Sequence, residues 1–309
     1  MLQFVRQLFS RAKPETDLSY GLLEQLGIDK LLAAANWNAL ETKAAQLPAN
    51  DLTRLLDGLC LTHRYDQVLT PYLAAGSSEL RALVKGAHDV FLAWESRGAL
   101  VASATSQEQV DGFYHYLGQA LEHLNQPFEN PAFQAEAAAR LVRVGMGLGE
   151  SELFQEAFEL CRELAPTHLM GHFNYLRAVS PWWHGSVADL TAFVDAIADP
   201  ELHRLFQLIY LNELHSFFSH ELGSDAKATA QLLHDYRPRI DAVLAGPAAE
   251  GTSLAAVYYN NYLAGLHHLV GNTPARNQLI RAQGPHLTPY PWSYFGLTTA
   301  HSVQQLAKN

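Results

Sequence analysis

The chain has 309 residues, of which 48% are apolar and 17% are charged, and its net charge is −10. This composition predicts a globular chain with a sizeable core, and the acidic balance disfavours nucleic acid as a partner because phosphates would be repelled. No apolar run reaches the ~18–20 residues that a membrane-spanning helix needs. Two cysteines, Cys60 and Cys161, lie in apolar helical contexts, so we expect buried free thiols and a cytoplasmic location.

Residues 1–16 predict a separate amphipathic segment, and residues 17–309 predict a single domain. The segment lacks the continuous apolar core and the small-residue cleavage site of a secretory signal. One helical face is apolar and basic side chains lie nearby: Leu2, Val5, Leu8 and Phe9, with Arg6, Arg11 and Lys13. We expect a helix that packs on the body or frays, without stable membrane insertion. Peripheral contact with an anionic membrane through residues 1–13 is the alternative.

Helical patterns run through the rest of the chain. Segments such as "SELFQEAFELCREL" place apolar residues three and four apart and are rich in good helix formers. Sustained two-residue alternation is absent, so we predict more than about 60% helix and no substantial sheet. The breaks between patterns predict helical hairpins at 21–47, 50–75, 77–124, 131–165, 167–198, 200–245 and 251–283, followed by a last helix near 291–307.

Prolines and small polar residues predict where several helices begin. Pro131, Pro200 and Pro274 are expected at first helical positions, where the missing N–H does no harm. The break at Gly149 predicts a tight turn, with Ser151 as the N-cap of the next helix.

A repeat lies beneath these hairpins. Pro131, Pro166 and Pro200 are 35 and 34 residues apart, and "NYLRA" from Asn174 resembles "NYLAG" from Asn261. A helix–turn–helix period of ~34 residues is typical of tetratricopeptide arrays.

Residues 131–200 resemble tetratricopeptide repeats. Leu141, Phe158 and Pro166 match positions where that family has a large apolar residue, an aromatic and a proline, whereas Val142 and Cys161 replace a glycine and an alanine. The resemblance implies an all-α solenoid, a right-handed superhelix of antiparallel hairpins whose first helices line a concave surface. The segment "PWWHGSVADLTAFVDAIA" also resembles a bacterial helical-repeat family of unknown function, in which a Trp-Gly-Gly-Ser-like turn precedes a helix.

The stretch "SPWWHGS", residues 180–186, is interpreted as a turn between two helices. Pro181 ends the preceding helix, Gly185 is expected to adopt positive φ, and Ser186 is expected to cap the next helix. Trp182 and Trp183 should then pack over the hairpin end.

No motif for catalysis or for a cofactor stands out. The chain lacks His-Glu-x-x-His, Cys-x-x-Cys and Gly-x-Ser-x-Gly. We therefore expect no enzyme activity, no cofactor and no metal site. The first hypothesis is an interaction module that holds a peptide or partner protein on the concave surface. Its candidate binding residues lie on first helices: His172, Asn174, Arg177, Tyr258, Asn261 and His268.

Two alternatives stay open. One is a small-ligand receptor or enzyme with a deep pocket, in which two or more of His172, His184, His215 and His268 converge with a carboxylate. The other is an inhibitor or immunity protein of a bacterial toxin. For Asn174 and Asn261, side-chain exposure decides whether the amides face a groove or satisfy backbone groups within the chain.

Overall fold

The computed structural model describes residues 17–98 and 105–308. Within these ranges about 74% of the residues are helical and no strand is present, which confirms the all-α prediction. The predicted amphipathic segment at 1–16, with its membrane contact, lies outside the described residues.

The N-terminal half contains nine described α-helices. They are α1 (Leu22–Leu26), α2 (Ile28–Ala33), α3 (Trp37–Ala44), α4 (Ala49–Cys60), α5 (Asp66–Ala74), α6 (Glu79–Arg97), α7 (Gln107–Leu124), α8 (Pro131–Leu148) and α9 (Ser151–Leu164). A 3₁₀ turn, His63–Tyr65, joins α4 to α5.

The C-terminal half contains eight more. They are α10 (Leu169–Ala178), α11 (Val187–Asp195), α12 (Pro200–Leu222), α13 (Asp225–Asp235), α14 (Arg237–Leu244), α15 (Leu254–Leu269), α16 (Thr273–Gln283) and α17 (Ala300–Leu306). The 3₁₀ turn Trp292–Phe295 precedes α17.

Five of the seven predicted hairpins correspond to two helices each, and three other segments differ. Residues 21–47 form three short helices, because Gly27 adopts φ 66° between α1 and α2. The second limb of 200–245 is split at Tyr236, where Pro238 follows closely and disfavours a continuous helix. The predicted last helix at 291–307 is a 3₁₀ turn and a short helix, separated at Gly296.

The predicted helix starts are largely confirmed. Asn130 and Asp199 cap α8 and α12, with Pro131 and Pro200 in first positions. Pro274 is the second residue of α16, not the first, because Asn272 is the N-cap and the helix begins at Thr273. Ser151 is not the N-cap of α9. It is the first helical residue, because the left-handed Gly149 already completes the turn.

Residues 180–186 form the predicted turn between α10 and α11. Ser186 caps α11 by accepting a hydrogen bond from the Asp189 N–H at 3.2 Å. The expected positive φ at Gly185 is wrong. Glycine is required because a Cβ there would lie 2.0 Å from the carbonyl oxygen of Val179. Trp183 is half-buried, whereas Trp182 is 40% exposed.

Helices that follow each other in the chain pack in pairs, and α4 contacts members of several pairs. The pairs α6–α7, α8–α9, α12–α13 and α15–α16 are in extensive contact, and α8 also packs on α10. Helix α4 contacts α6, α8, α10 and α15. Buried apolar side chains form two large clusters, one mainly from α1–α9 and the other mainly from α10–α17. None of the described helices combines the length and apolar character needed to cross a bilayer.

Candidate binding cavity

Glu136 is the centre of a buried polar joint between α4, α8 and α10. It accepts hydrogen bonds from the Thr53 hydroxyl, from Arg140 Nε at 2.8 Å and from His168 Nε2 at 3.0 Å. His168 Nδ1 accepts from the Gly171 N–H, so its Nε2 carries the proton that it donates. Burial opposes ionisation of Glu136, but Arg140 and the two hydrogen bonds together hold its pKa below the ordinary value.

Arg140 joins a second carboxylate to this network. Its Nη2 lies 2.8 Å from Asp57 Oδ1 and 2.7 Å from Glu136 Oε1. Two carboxylates therefore share one guanidinium. Burial raises the pKa of Asp57, although the charge of Arg140 opposes this effect.

A cavity of about 270 Å³ lies beside this network, between the two apolar clusters. Its polar wall includes Asp57, Glu136 and Arg140. Its apolar wall includes Phe91 and Trp94 of α6 and Met170 and Phe173 of α10. The remaining wall comes from α15 and from two segments outside the helices, through Tyr258, Leu18, Tyr20, Pro289 and Tyr290.

Arg143 also lines this cavity, one turn along α8 from Arg140, and its surroundings differ. Within the described chain it has neither a salt bridge nor a hydrogen bond. Its guanidinium lies over the ring of Trp94, 4.1 Å from the centroid. Burial, and then the positive charge of Arg177, lower the pKa of Arg143 to about 10, so it remains a cation at neutral pH.

The segment from His286 to Tyr294 closes one side of the cavity, and Asn261 holds this segment. Asn261 Nδ2 donates to the His286 carbonyl at 3.0 Å, and its Oδ1 accepts from Trp292 Nε1 at 2.8 Å and from the Thr288 N–H at 3.3 Å. Pro289 and Tyr290, between these contacts, reach the cavity wall.

Arg177 anchors the same segment. Its Nη2 donates to Glu213 Oε1 at 3.1 Å and to the Tyr294 hydroxyl at 2.6 Å. Tyr294 also donates to Glu213. The Arg177 guanidinium lies 4.3 Å from the centroid of the Tyr290 ring. Arg177 therefore packs against a residue of the cavity wall without lining the cavity itself.

The structure distributes the six predicted binding residues over several locations. Asn174 and Tyr258 line the central cavity, whereas Arg177 and Asn261 hold the segment that closes it. His172 lies on a separate groove between α9 and α11. His268 contacts Arg276 and the ring of Phe295, away from the cavity lining.

The two repeated asparagines are both buried. The exposed fraction of Asn174 is 8% and that of Asn261 is 0%. Asn174 Nδ2 donates to the Ala139 carbonyl at 2.9 Å, and Asn261 has partners for both amide atoms. By the exposure criterion both amides are structural, since each satisfies backbone groups of neighbouring elements.

The groove between α9 and α11 has a volume of about 670 Å³. Among its lining residues are two histidines, His172 and His184, and three carboxylates, Glu159, Asp189 and Asp199. The histidines are separated by the rings of Phe154, Phe158 and Tyr175, which stack or meet edge to face.

Both groove histidines have internal hydrogen bonds. His172 Nδ1 lies 3.0 Å from the His168 carbonyl, and His184 Nε2 lies 2.8 Å from the Met146 carbonyl. Burial lowers the pKa of His172 to about 4. These rings act chiefly in packing and in backbone recognition.

The other two histidines of the pocket hypothesis, His215 and His268, do not line the groove, and both contact Phe295. Within residues 17–98 and 105–308, no group of three or more His, Cys, Asp or Glu side chains is arranged to hold a metal ion.

The residue that distinguishes the cavity, Arg143, was not among the binding residues predicted from sequence. Glu136, Arg140 and Arg143 are spaced four and three residues apart in the otherwise apolar "EAAARLVRV" of α8, which places them on one helical face. This charged stripe on an alanine-rich helix is the signal that was available. Comparisons of the chain with protein-family models, with curated proteins and with solved structures give no match.

Proposed function

We propose that this chain is a non-catalytic binding protein that holds a small organic ligand in the central cavity. This proposal depends on Arg143, a half-buried cation that has no ionic partner within residues 17–98 and 105–308 and lies at the wall of a preformed cavity. Partial burial of a charge without a counter-ion is costly, and natural proteins keep such groups mainly where a ligand or a reaction uses them.

The architecture that we propose for this site is a tetratricopeptide-like array in one domain. The contacts within successive helix pairs and the contact between α8 and α10 support it. Helices α8, α10 and α15 are the first members of their pairs, and all three contribute to the cavity wall. The cavity would then be the concave surface, narrowed by α4.

A small ligand fits this surface better than an extended peptide does. Helix α4 packs on α8, α10 and α15, and Pro289 and Tyr290 lie on the same wall. The volume of about 270 Å³ is close to the lower end of the range for small-molecule sites, ~300 Å³.

The ionisable groups of the cavity favour binding over catalysis. Asp57 and Glu136 are both held by Arg140, and Glu136 has two further hydrogen-bond donors. Glu136 contacts a hydroxyl and a histidine, but both donate to it, and His168 Nδ1 is occupied by the Gly171 N–H. These contacts therefore do not form the arrangement of a nucleophile and its base. Two buried free thiols, Cys60 and Cys161, support a cytoplasmic location.

A protein partner remains a second candidate, supported by the groove between α9 and α11. Aromatic rings line it, and Glu159, Asp189 and Asp199 contribute carboxylates, of which Glu159 is paired with Arg162 of the same groove. A basic peptide segment of a partner protein would complement these charges and the net charge of −10. The toxin-inhibitor hypothesis belongs to this class.

Thermal unfolding with a panel of small aromatic and aliphatic molecules tests the proposed function. The panel contains anionic, neutral and cationic members, and a bound ligand raises the melting temperature. Met170→Trp fills the central cavity, and Gln155→Trp fills the groove between α9 and α11. We expect at least one molecule of the panel to raise the melting temperature of wild type. Met170→Trp should abolish this rise, and Gln155→Trp should preserve it. The reverse pattern would assign binding to the groove, and stabilisation insensitive to Met170→Trp would exclude the cavity.

A further inference from the structure

The charges around the central cavity are unevenly compensated. Arg140 is shared by Asp57 and Glu136, at 2.8 Å and 2.7 Å. Arg143, on the same helical face, has no carboxylate partner within the described chain. An anion that enters the cavity therefore finds one guanidinium whose hydrogen-bond donors are all unused.

The position of Arg143 restricts where an anion can bind. One face of its guanidinium lies against the Trp94 ring, which leaves the edge of the planar group for hydrogen bonds. Two parallel N–H groups on such an edge match the two oxygens of a carboxylate.

The neighbouring charges favour an anion with a single negative charge. Asp57 and Glu136 also line the cavity, so a second negative charge on the ligand would face carboxylates. Like charges that share a cavity repel each other, and the repulsion is stronger where water is excluded.

The apolar wall of the cavity favours an apolar ligand body. Phe91, Phe173 and Met170 line it together with Trp94. Aromatic side chains favour offset-stacked or edge-to-face contacts with a flat ring, and methionine adapts its shape to aromatic groups.

We propose that Arg143 anchors an organic monocarboxylate with a flat apolar body in the central cavity. This site depends on the ligand-binding function proposed above and adds the chemical class of the ligand to it. Arg143 binds the carboxylate, and Phe91, Trp94, Met170 and Phe173 contact the body. Ligands with the same body and a neutral or doubly charged head group bind more weakly.

Isothermal titration of the full chain with three naphthalene probes tests this assignment. The probes are 2-naphthoate, 2-naphthalenemethanol and 2-naphthyl phosphate, which share the ring system and differ in charge. The variants are Arg143→Met, which removes the charge at similar length, Met170→Trp, which fills the cavity, and Arg162→Met. Arg162 is an exposed arginine of the groove between α9 and α11, where it is paired with Glu159. It serves as the matched control, and a loss of 2-naphthoate binding in Arg162→Met would assign the ligand to the groove.

We expect 2-naphthoate to bind wild type at least about 10-fold more tightly than either other probe, as expected for hydrogen bonds to a charged group. Arg143→Met should remove this preference, Met170→Trp should abolish binding, and Arg162→Met should leave it unchanged. Equal affinity for 2-naphthoate and 2-naphthalenemethanol, or unchanged 2-naphthoate affinity in Arg143→Met, would overturn the carboxylate site.

The same titrations separate this inference from the proposed function. If the neutral or the phosphate probe binds best and Met170→Trp abolishes that binding, the cavity binds a ligand but the monocarboxylate assignment is wrong. If none of the probes binds, the monocarboxylate assignment is wrong, and the broader panel above decides the proposed function.

Discussion

Two arginines on one helix show how strongly the surroundings of a side chain determine its role. Arg140 and Arg143 are three residues apart on α8 and both line the cavity. Arg140 compensates two buried carboxylates, and these raise its pKa although burial opposes this effect. Arg143 has no such partner among the residues that the structure describes, and burial lowers its pKa. One arginine therefore stabilises the fold, and the other is available to a ligand.

Replacing each of these arginines by methionine should change the free energy of unfolding by very different amounts. Arg140→Met leaves Asp57 and Glu136 without their counter-ion, and we expect a loss of about 3–5 kcal/mol in the free energy of unfolding. Arg143→Met removes a half-buried charge that has no carboxylate partner in the described chain and replaces its contact with the Trp94 ring by an apolar one, so stability should change by no more than about 1 kcal/mol. Urea unfolding of both variants measures this difference. A loss for Arg143→Met as large as that for Arg140→Met would show that Arg143 has a structural role.

Asn261 and Asn174 should also differ in their contribution to stability. Asn261→Ala leaves the Trp292 and Thr288 N–H groups and the His286 carbonyl without their partner. We expect a loss of about 3 kcal/mol or more, since each unsatisfied buried group costs about 1–3 kcal/mol. Asn174→Ala removes one hydrogen bond, to the Ala139 carbonyl, and should cost about 1 kcal/mol. Chemical unfolding of the two variants checks this order, and equal losses would contradict it.

At the scale of helices, an aromatic cluster joins α9, α10, α11 and α12 around His172. The His172 ring lies 5.1 Å from Phe158, 6.1 Å from Phe193 and 5.8 Å from Phe206, measured between ring centroids. The exposed fraction of His172 is 4%. Since burial disfavours the imidazolium, this cluster holds the ring in its neutral form.

Stability should therefore fall as the pH is lowered from about 6.5 to about 4. Burial lowers the pKa of His172 from 6.5 to about 4, so in this interval the unfolded chain binds a proton that the folded chain does not. The stabilisation is fully present above pH 6.5, and its loss amounts to about 3 kcal/mol.

His172→Phe tests this contribution, because phenylalanine retains the ring and cannot titrate. The slope of unfolding free energy against pH between 6.5 and 4 should become shallower than in wild type. Burial lowers the pKa of His215, His267 and His268 in the same direction, so part of the slope should persist. The same substitution at the exposed His234 is the control. An identical slope in His172→Phe and wild type would contradict the account.

The turn between α10 and α11 contributes to stability through Trp183. This ring meets Trp94 edge to face at 5.2 Å, and Arg97 lies over it at 5.3 Å. Because Trp183 is only half-buried, Trp183→Ala should cost about 2–3 kcal/mol, below the range for a fully buried tryptophan.

Trp182→Ala is the matched control for this substitution. Trp182 is 40% exposed, so its loss should lower the melting temperature much less. We expect ligand affinity in Trp183→Ala, measured well below its melting temperature, to stay unchanged. Lost binding with an unchanged melting temperature would assign the turn to the binding site instead.

At the scale of the whole molecule, helices were predictable from sequence and the cavity was not. Asn130 and Asp199, each followed by proline, determine helix starts through contacts with the next three residues, and local patterns record such contacts. The lack of an ionic partner at Arg143 depends on residues from α4, α6, α10 and α15. Single-sequence periodicity carries no information on which of these elements meet.

The roles of the two repeated asparagines were not predictable from sequence either, because these roles depend on tertiary contacts. Asn174 and Asn261 occupy matching places in "NYLRA" and "NYLAG". Asn261 receives hydrogen bonds from Thr288 and Trp292, 27 and 31 residues away, whereas Asn174 reaches back to Ala139. The repeat predicted equal roles, and the tertiary contacts make the two roles different.

In the proposed complex, Arg143 binds the carboxylate of a ligand inside the cavity. A crystal structure of the full chain with 2-naphthoate would test this binding mode by showing the contacts themselves. We predict the carboxylate oxygens about 3 Å from the guanidinium nitrogens of Arg143, with the naphthalene ring between Trp94 and the side chains of Met170 and Phe173. Density for the ligand in the groove between α9 and α11, or a cavity that contains only water at saturating 2-naphthoate, would contradict the claim.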